Sequence, residues 1–335
     1  MIPIEKLLEN SKRMSCKKKT RSSAVLKNFA DLPDRCILQI LEKLKYSDIC
    51  NLRLVDRRLN LIIQRHANAL PKHHRNEMTI FGTEDGFVDF DKPYRYYCSQ
   101  TSDTSLKSCE LDNSLRHIVL DRCLNVENAL FDTALRHSLQ RSQRNRLYEI
   151  NFSNCHINIS CKEMASFLAH TGLQNLSIQN CSFENQLTIS DEIFDYYKHL
   201  QSLSLYSDVL QTFPALTSKT LLTWAKTEKW PIFIALNNVQ CPFSVNSILQ
   251  MIKSYIRWCY DDASSNFNCS RSILWNFGYV NVSAIDAKNA LKTIGPFVTL
   301  FDSKDSLVSA HVRCHDVAPP LFLRFQCINI FANLV

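Results

Sequence analysis

Glycine is scarce in this chain, with five in 335 residues. Loops of the GxGxxG or Walker type need glycine at fixed positions so that backbone can approach a phosphate closely, and five scattered residues provide no such run. Nucleotide chemistry is therefore not expected. Paired cysteines are missing too: none of the fourteen Cys forms a CxxC. The densest His/Cys group, His311, Cys314 and His315, lacks the distant second pair that a zinc site requires. No metal and no cofactor are expected. The opening MIPIEKLLENSKRMSCKKKT has no apolar segment of the kind that directs secretion, so the dispersed cysteines read as reduced thiols of an intracellular chain, cytoplasmic or nuclear. Apolar runs of eighteen or more residues are also lacking; the stretch from Leu321 to Val335 is broken by Arg324 and Gln326, and no membrane partner follows. Net positive charge is confined to the front. Residues 1–75 hold 17 Lys/Arg against 7 Asp/Glu, whereas the remainder holds 22 against 25, too few positive charges for a phosphate-binding face. No nucleic-acid partner is expected for the main part. Catalytic constellations are wanting as well. Cys155 and His156 are neighbours on a strand, point to opposite faces and cannot act as a nucleophile and base, so the chain reads as non-enzymatic. Trp224, Trp230, Trp258 and Trp275 could line a pocket but read more simply as core.

What is present begins with a basic stretch. Residues 1–27 carry SKRMSCKKKTR with little to bury, consistent with a solvated tail or a nuclear-import signal. From residue 28 to 68 the pattern becomes helical. Leu32-Pro33-Asp34 suits a helix start, Pro in the first turn and Asp at the positive end. Ile37, Ile40, Leu41 and Leu44 then make one apolar stripe at steps of three and four. Ser47 and Asp48 read as caps of a second helix carrying Ile49 and Leu52, and a third begins near Val55 with Leu59, Ile62 and Ile63 facing inward. A bundle of about 40 residues buries too little to be comfortable alone and would lean on a partner.

The order Leu-Pro, Ile-Leu-x-Ile-Leu-x-x-Leu, Ser-Asp-Ile-x-x-Leu-Arg-Leu-Val, Arg-Arg-Leu-Asn resembles the F-box family across 35 residues. The resemblance implies a module that docks on the Skp-family adaptor of a cullin ubiquitin ligase. It also implies that Leu32, Pro33, Ile37, Leu38, Ile40, Leu41, Leu44, Leu52, Val55 and Leu59 are shared between its own core and that contact. Asp56 departs from the family's usual Cys or Ser, and Leu59 from its usual Trp.

Residues 69–110 read as a connector with short strands at 78–81 and 86–90. Beyond it a pattern L-x-x-L-x-L-x-x-C recurs from Leu115, Leu147, Leu173 and Leu200, at periods of 32, 26 and 27. Its fourth and sixth positions predict strands facing a shared core, and segments such as 161–170 and 191–197 predict covering helices. This resembles the Cys-containing class of Leu-rich repeats, with Cys123, Cys155 and Cys181 at a small buried position and Asp208 breaking the series. The expected fold class is thus α/β: a three-helix F-box followed by a Leu-rich-repeat solenoid over residues 111–335, one strand and one helix per repeat. The repeats are clear to about residue 210. Strands are also expected at 231–236, 272–282, 297–301, 308–314 and 321–331, without a place in the template.

Alternate strand positions must project from the opposite side of the sheet. They are His117, Val119 and Asp121, then Glu149, Asn151 and Ser153, then Asn175, Ser177 and Gln179, and finally Ser202, Ser204 and Tyr206, and they form the expected substrate-binding surface. Together these readings imply a substrate receptor of a Skp-cullin-F-box ligase, with the Skp-family adaptor, a cullin and a protein substrate as partners. The alternative is a repeat scaffold whose F-box serves assembly without ubiquitin transfer.

Overall fold

A computed structural model describes residues 29–67, 69–83, 95–99, 118–142, 147–196, 199–261, 272–301, 306–314 and 318–328. The basic tail, the connector strand expected at 86–90, His117 and residues 331–335 lie outside these. The chain divides into two compact units: residues 1–74 with 112–119, and residues 75–111 with 120–335.

In the first unit a single 3-10 turn, Phe29–Asp31, leads into helices α1 (Asp34–Leu41), α2 (Tyr46–Val55) and α3 (Arg57–Arg65). Pro33, at φ −54°, stands at the N-cap of α1, with Asp34 in its first turn where the helix dipole favours a negative charge. Ser47 and Asp48 do not cap α2; its N-cap is Lys45, which makes no side-chain bond, and both residues fall inside the first turn. The departure at Asp56 has a local reason. Its carboxylate caps α3, accepting a hydrogen bond from the Leu59 backbone N–H at 3.0 Å. Leu32, Ile37, Leu41, Ile49, Leu59, Ile62, Ile63 and Leu70 form the core, and Arg58 ties the ends together by bonding the Leu32 carbonyl (3.0 Å) and pairing with Asp34.

The second unit is built on a sheet of eleven strands among the described residues. Its backbone is a parallel run of β3 (Ile118–Glu127), β5 (Glu149–Ser153), β7 (Asn175–Gln179), β9 (Ser202–Thr212), β10 (Phe233–Gln240), β11 (Ile273–Val280) and β14 (Leu321–Cys327). Strands β1 (His73–Thr83) and β2 (Arg95–Ser99) follow β3 at one end. At the other, β12 (Val298–Phe301) and β13 (Leu307–Val312) form an antiparallel pair against β14. The order across the sheet is β12-β13-β14-β11-β10-β9-β7-β5-β3-β1-β2. Helices α4 (Thr133–Ser142), α5 (Cys161–Thr171), α6 (Asp191–Tyr196), α7 (Ser218–Thr227), α8 (Val245–Asp261) and α9 (Ala284–Lys292) alternate with the strands.

Register explains the packing. Leu124, Ile150, Leu176, Leu203, Ile234, Trp275 and Leu323 stand in one row, and Val126, Phe152, Ile178, Leu205 and Leu236 in a second; all twelve are buried. Each such side chain contributes about 1.5–3 kcal/mol by leaving water. Beside them Phe131 packs on Phe152 (ring centroids 4.7 Å apart) and Phe167 (5.3 Å). Trp230, Tyr255, Trp258 and Trp275 form one aromatic cluster with centroids 5.9–6.4 Å apart, while Trp224 packs on Phe194 at 5.2 Å. The tryptophans are therefore packing residues.

The first unit of the sequence pattern is shifted from its expected position. Leu124, and not Ile118, stands opposite Ile150, so that Asp121 corresponds to Leu147 and the first period is 26, not 32. Cys123 accordingly does not occupy the small position ending the strand; Ala129, fully buried, does, in line with Cys155 and Cys181. A second feature marks the same point. Asn128, Asn154, Asn180 and Asn238 all take left-handed backbone, with φ of 51°, 54°, 51° and 54°. Asn tolerates this conformation better than other non-glycine residues. After the first three of these turns the chain leaves β3, β5 and β7 and enters β4 (Leu130–Asp132), β6 (His156–Asn158) and β8 (Ser182–Phe183), a separate three-stranded parallel sheet.

Helix α5 shows how the covering layer is fixed. Ser160 and Glu163 form a capping box, and Gly172, at φ 67°, closes the other end. Glu163 also accepts from Thr133 (2.8 Å) and Arg136 (3.2 Å) of α4, and the bond from the Ser160 backbone, ahead of these, brings its carboxyl down to about 2.

Two outcomes are expected. Replacing Asn154 with Ala should cost about 1–2 kcal/mol, whereas Gly at the same position should be near neutral; urea unfolding of the two variants side by side measures this, and equal costs would contradict the left-handed turn. Because the Glu163 carboxyl is depressed, its stabilisation is full above the ordinary carboxylate value and is lost as pH falls through about 2. Glu163→Gln should therefore lower stability by about 1 kcal/mol at neutral pH, and the gap to wild type should close on acidification toward that value, followed by denaturant unfolding as a function of pH.

Candidate functional site

In the first unit, the ten residues named from the sequence separate into three groups. Leu32, Ile37, Leu41 and Leu59 are buried in the bundle itself, none more than 3% exposed. Leu38, Ile40, Leu44 and Leu52 are half-buried and pack against that core. Pro33 and Val55 are exposed, Val55 at 74%, and beside it stands Leu54 at 87%. Sequence periodicity does not single out Leu54, because α2 carries apolar residues around its whole circumference: Ile49 inward, Leu52 between, Leu54 and Val55 outward. Leu54 and Val55 therefore leave apolar surface in water at the end of α2.

In the second unit the sheet presents its other face to solvent. Glu149, Asn151, Ser153, Asn175, Ser177, Ser202 and Ser204 are half-buried there, and Gln179 and Tyr206 exposed. The register of β5, β7 and β9 brings them into three rows: Glu149–Asn175–Ser202, Asn151–Ser177–Ser204 and Ser153–Gln179–Tyr206. On β3 the corresponding residues are Cys123, Asn125 and Glu127. Val119 is buried, and Asp121, though exposed, precedes the paired stretch, so neither joins these rows. The same rows continue onto Phe233, Ala235 and Asn237 of β10, and further onto Leu274 and Asn276 of β11 and Phe322 and Arg324 of β14. The sequence pattern misses these later residues because Pro231, Ser272 and Pro320 stand where the template has Leu.

Side chains on this face are tied together. The Asn151 amide donates to Asn125 (2.9 Å) and Glu149 (3.1 Å), and the Asn125 amide donates to Glu77 of β1 (2.7 Å). Within β9, Tyr206 donates its hydroxyl to Asp208 (2.8 Å), whose nearby carboxylate holds the phenol above its ordinary range. Asn180 grips Asp208 twice, donating to its carboxylate (2.7 Å) and accepting from its backbone N–H (2.8 Å).

The cysteines are packing and polar-network groups. Cys155 is buried and its thiol donates to the Val126 carbonyl (3.2 Å); the bond with Cys155, and then burial, hold the Cys181 thiol well above the usual range. Cys123 is half-buried, and burial together with Glu149 and Glu77 pushes it up to about 11. Among the described residues no group of three or more His, Cys, Asp or Glu is arranged to hold a metal, and no helix is long and apolar enough to cross a membrane.

The chain thus carries a three-helix module with an exposed apolar helix end and a sheet-bearing unit with a polar open face. Residues 29–68 match the family model described as the F-box domain. F-box domains bind Skp-type adaptors of SCF-type ligases, and F-box proteins are typically substrate adaptors. No curated protein matches the chain.

Site-resolved thiol labelling checks the cysteine placement. Cys155 and Cys181 should stay unlabelled until unfolding, while Cys123 should label slowly at neutral pH and accelerate as pH rises toward about 11. Fast neutral labelling of Cys155 or Cys181 would contradict the register.

Proposed function

We propose that this protein is the substrate receptor of a Skp-cullin-F-box ubiquitin ligase, with an F-box at 28–68, a connector at 69–110 and a Leu-rich-repeat solenoid at 111–335. The observation that carries the reading is the apolar end of α2 in a module matched as an F-box: Leu54 and Val55, 87% and 74% exposed, on a bundle too small to leave them uncovered in isolation. In this reading Pro33, Leu38, Ile40, Leu44, Leu52, Leu54 and Val55 meet the adaptor. Leu32, Ile37, Leu41 and Leu59 hold the helices in position behind them. The aligned parallel strands with their buried rows support the repeat reading, since a strand and helix that cannot bury their own apolar face alone can do so by stacking.

The receptor performs no chemistry. The repeat face holds a protein substrate, and the cullin arm holds a charged ubiquitin-conjugating enzyme, so that an acceptor lysine is presented at raised effective concentration. Asn151, Ser177 and Ser204 lie in one row across three strands and, with Glu149, Ser153, Asn175, Gln179, Ser202 and Tyr206, make the face to which the substrate binds. The other reading, a scaffold that assembles through its F-box without ubiquitin transfer, differs only in the final step and is separated by a ubiquitination assay.

Leu54→Asp with Val55→Asp should reduce adaptor affinity at least about a hundredfold, since two apolar anchors at an interface centre are replaced by charges. Both side chains point to solvent, so helicity and thermal unfolding should be unchanged. Co-purification with the Skp-family adaptor and ubiquitination by the reconstituted ligase measure the effect. Undiminished adaptor binding by this variant would overturn the assignment.

A further inference from the structure

The open face changes character along the sheet. In the row that starts with Cys123, Glu149, Asn175 and Ser202, the next three members are Phe233, Leu274 and Phe322. Phe233 is 37% and Phe322 38% exposed, and the His311 ring of β13 lies flat on Phe322 at 4.8 Å. Three large apolar side chains on successive strands of a solvent-facing sheet form a contiguous patch rather than scattered exposure. Four residues along the strands from the Ser202–Phe233 pair, past Tyr206, β9 carries a separate bulge. Between Tyr206 and Gln211 the chain spends four residues where β10 spends one, and this projects Val209 and Leu210, 72% and 55% exposed. The bulge is held in place by the bonds of Asp208 to Tyr206 and Asn180.

The opposite end of the same face is acidic. Glu77, Glu127 and Glu149 come from three adjacent strands, β1, β3 and β5. Asn125 and Asn151 orient two of these carboxylates by donating one bond to each. The raised Cys123 thiol among them, which both Glu149 and Glu77 help to push up, reports the same negative field.

We propose, on the receptor reading above, that the occupant of this face is an extended segment of a protein substrate carrying a large aliphatic or aromatic residue and, at a fixed distance, a pair of basic residues. The apolar residue sits on the Phe233, Leu274 and Phe322 patch, and the basic residues meet Glu77, Glu127 and Glu149. Five strand steps separate β3 from β11. At about 4.8 Å per step the two ends are about 24 Å apart, which an extended chain covers in about seven residues. The segment crosses the strands, and the hydroxyls and amides between the ends, such as Ser177 and Ser204, meet its backbone.

The test uses the full chain in complex with the Skp-family adaptor. An array of synthetic peptides is presented in which a Leu, Phe or Trp block and a Lys/Arg pair are separated by gaps of about three to eleven residues, bracketing the expected span. Matched peptides carry Asp/Glu or lack the apolar block. Binding should peak for basic-apolar peptides near a gap of about seven. It should weaken about tenfold or more in Phe233→Ser with Phe322→Ser, and several-fold in Glu77→Gln with Glu149→Gln, while both variants keep adaptor binding and thermal unfolding of wild type. The double-Gln variant preserves the shape and bonding of the amide network, so its loss reads charge alone. Preference for acidic peptides, indifference to the gap, unchanged binding by the Phe variants, or concentration-dependent self-association that those variants abolish would each overturn the proposal. Ubiquitin transfer by the reconstituted wild-type ligase is scored separately: its absence removes the receptor reading, whereas transfer that persists in the Phe variants removes only this inference.

Discussion

The constraint on which everything else rests is that one strand and one helix cannot hide their own apolar face. In the second unit the answer is alignment. Leu124, Ile150, Leu176, Leu203, Ile234, Trp275 and Leu323 make a single row, each covered by its neighbours in a way none could achieve separately. Alignment dictates the rest. Strands must run parallel so that equivalent positions meet, the chain must turn at the same point each time, and the residue after the turn must be small enough to tuck under the next unit. Left-handed Asn128, Asn154 and Asn180 satisfy the second demand; Ala129, Cys155 and Cys181 satisfy the third.

The same constraint acts on the first unit with a different outcome. Its core is closed by Ile37, Leu41, Ile49, Leu59, Ile62 and Ile63, but a bundle this short has no neighbour of its own kind to cover Leu54 and Val55. Burial that the stacked strands obtain within the chain must here come from a partner, as expected of a module matched as an F-box. Binding is then a continuation of folding, driven by the same removal of apolar surface from water.

Much of this is legible in the sequence, and what is not has physical causes. The helix stripes of α1 and α3 are plain because one side of each is apolar; α2 is legible only in part because its apolar residues lie all round, so periodicity does not distinguish the inward Ile49 from the outward Leu54 and Val55. The units starting at 147, 173 and 200 are visible because Leu leads each. The first is displaced because Leu115, Ile118 and Leu120 mimic the template just upstream of the true pairing of Leu124 with Ile150. Beyond residue 210 the strands can be seen but not placed, since Pro231 and Pro320 replace the leading Leu and the β9 bulge and the β12–β13 pair interrupt the spacing. Alignment in space reveals what alignment in sequence hides: the aromatic end of the open face.

In the proposed receptor the adaptor and the substrate meet different surfaces, and one experiment addresses that division directly. A photo-crosslinking amino acid is placed at Val55 in one sample and at Phe233 in another, each in the complete ligase with adaptor, cullin and captured substrate. Cross-links from position 55 should reach the adaptor alone, and those from position 233 the protein that becomes ubiquitinated. Adaptor cross-links from position 233, or none from position 55, would contradict it.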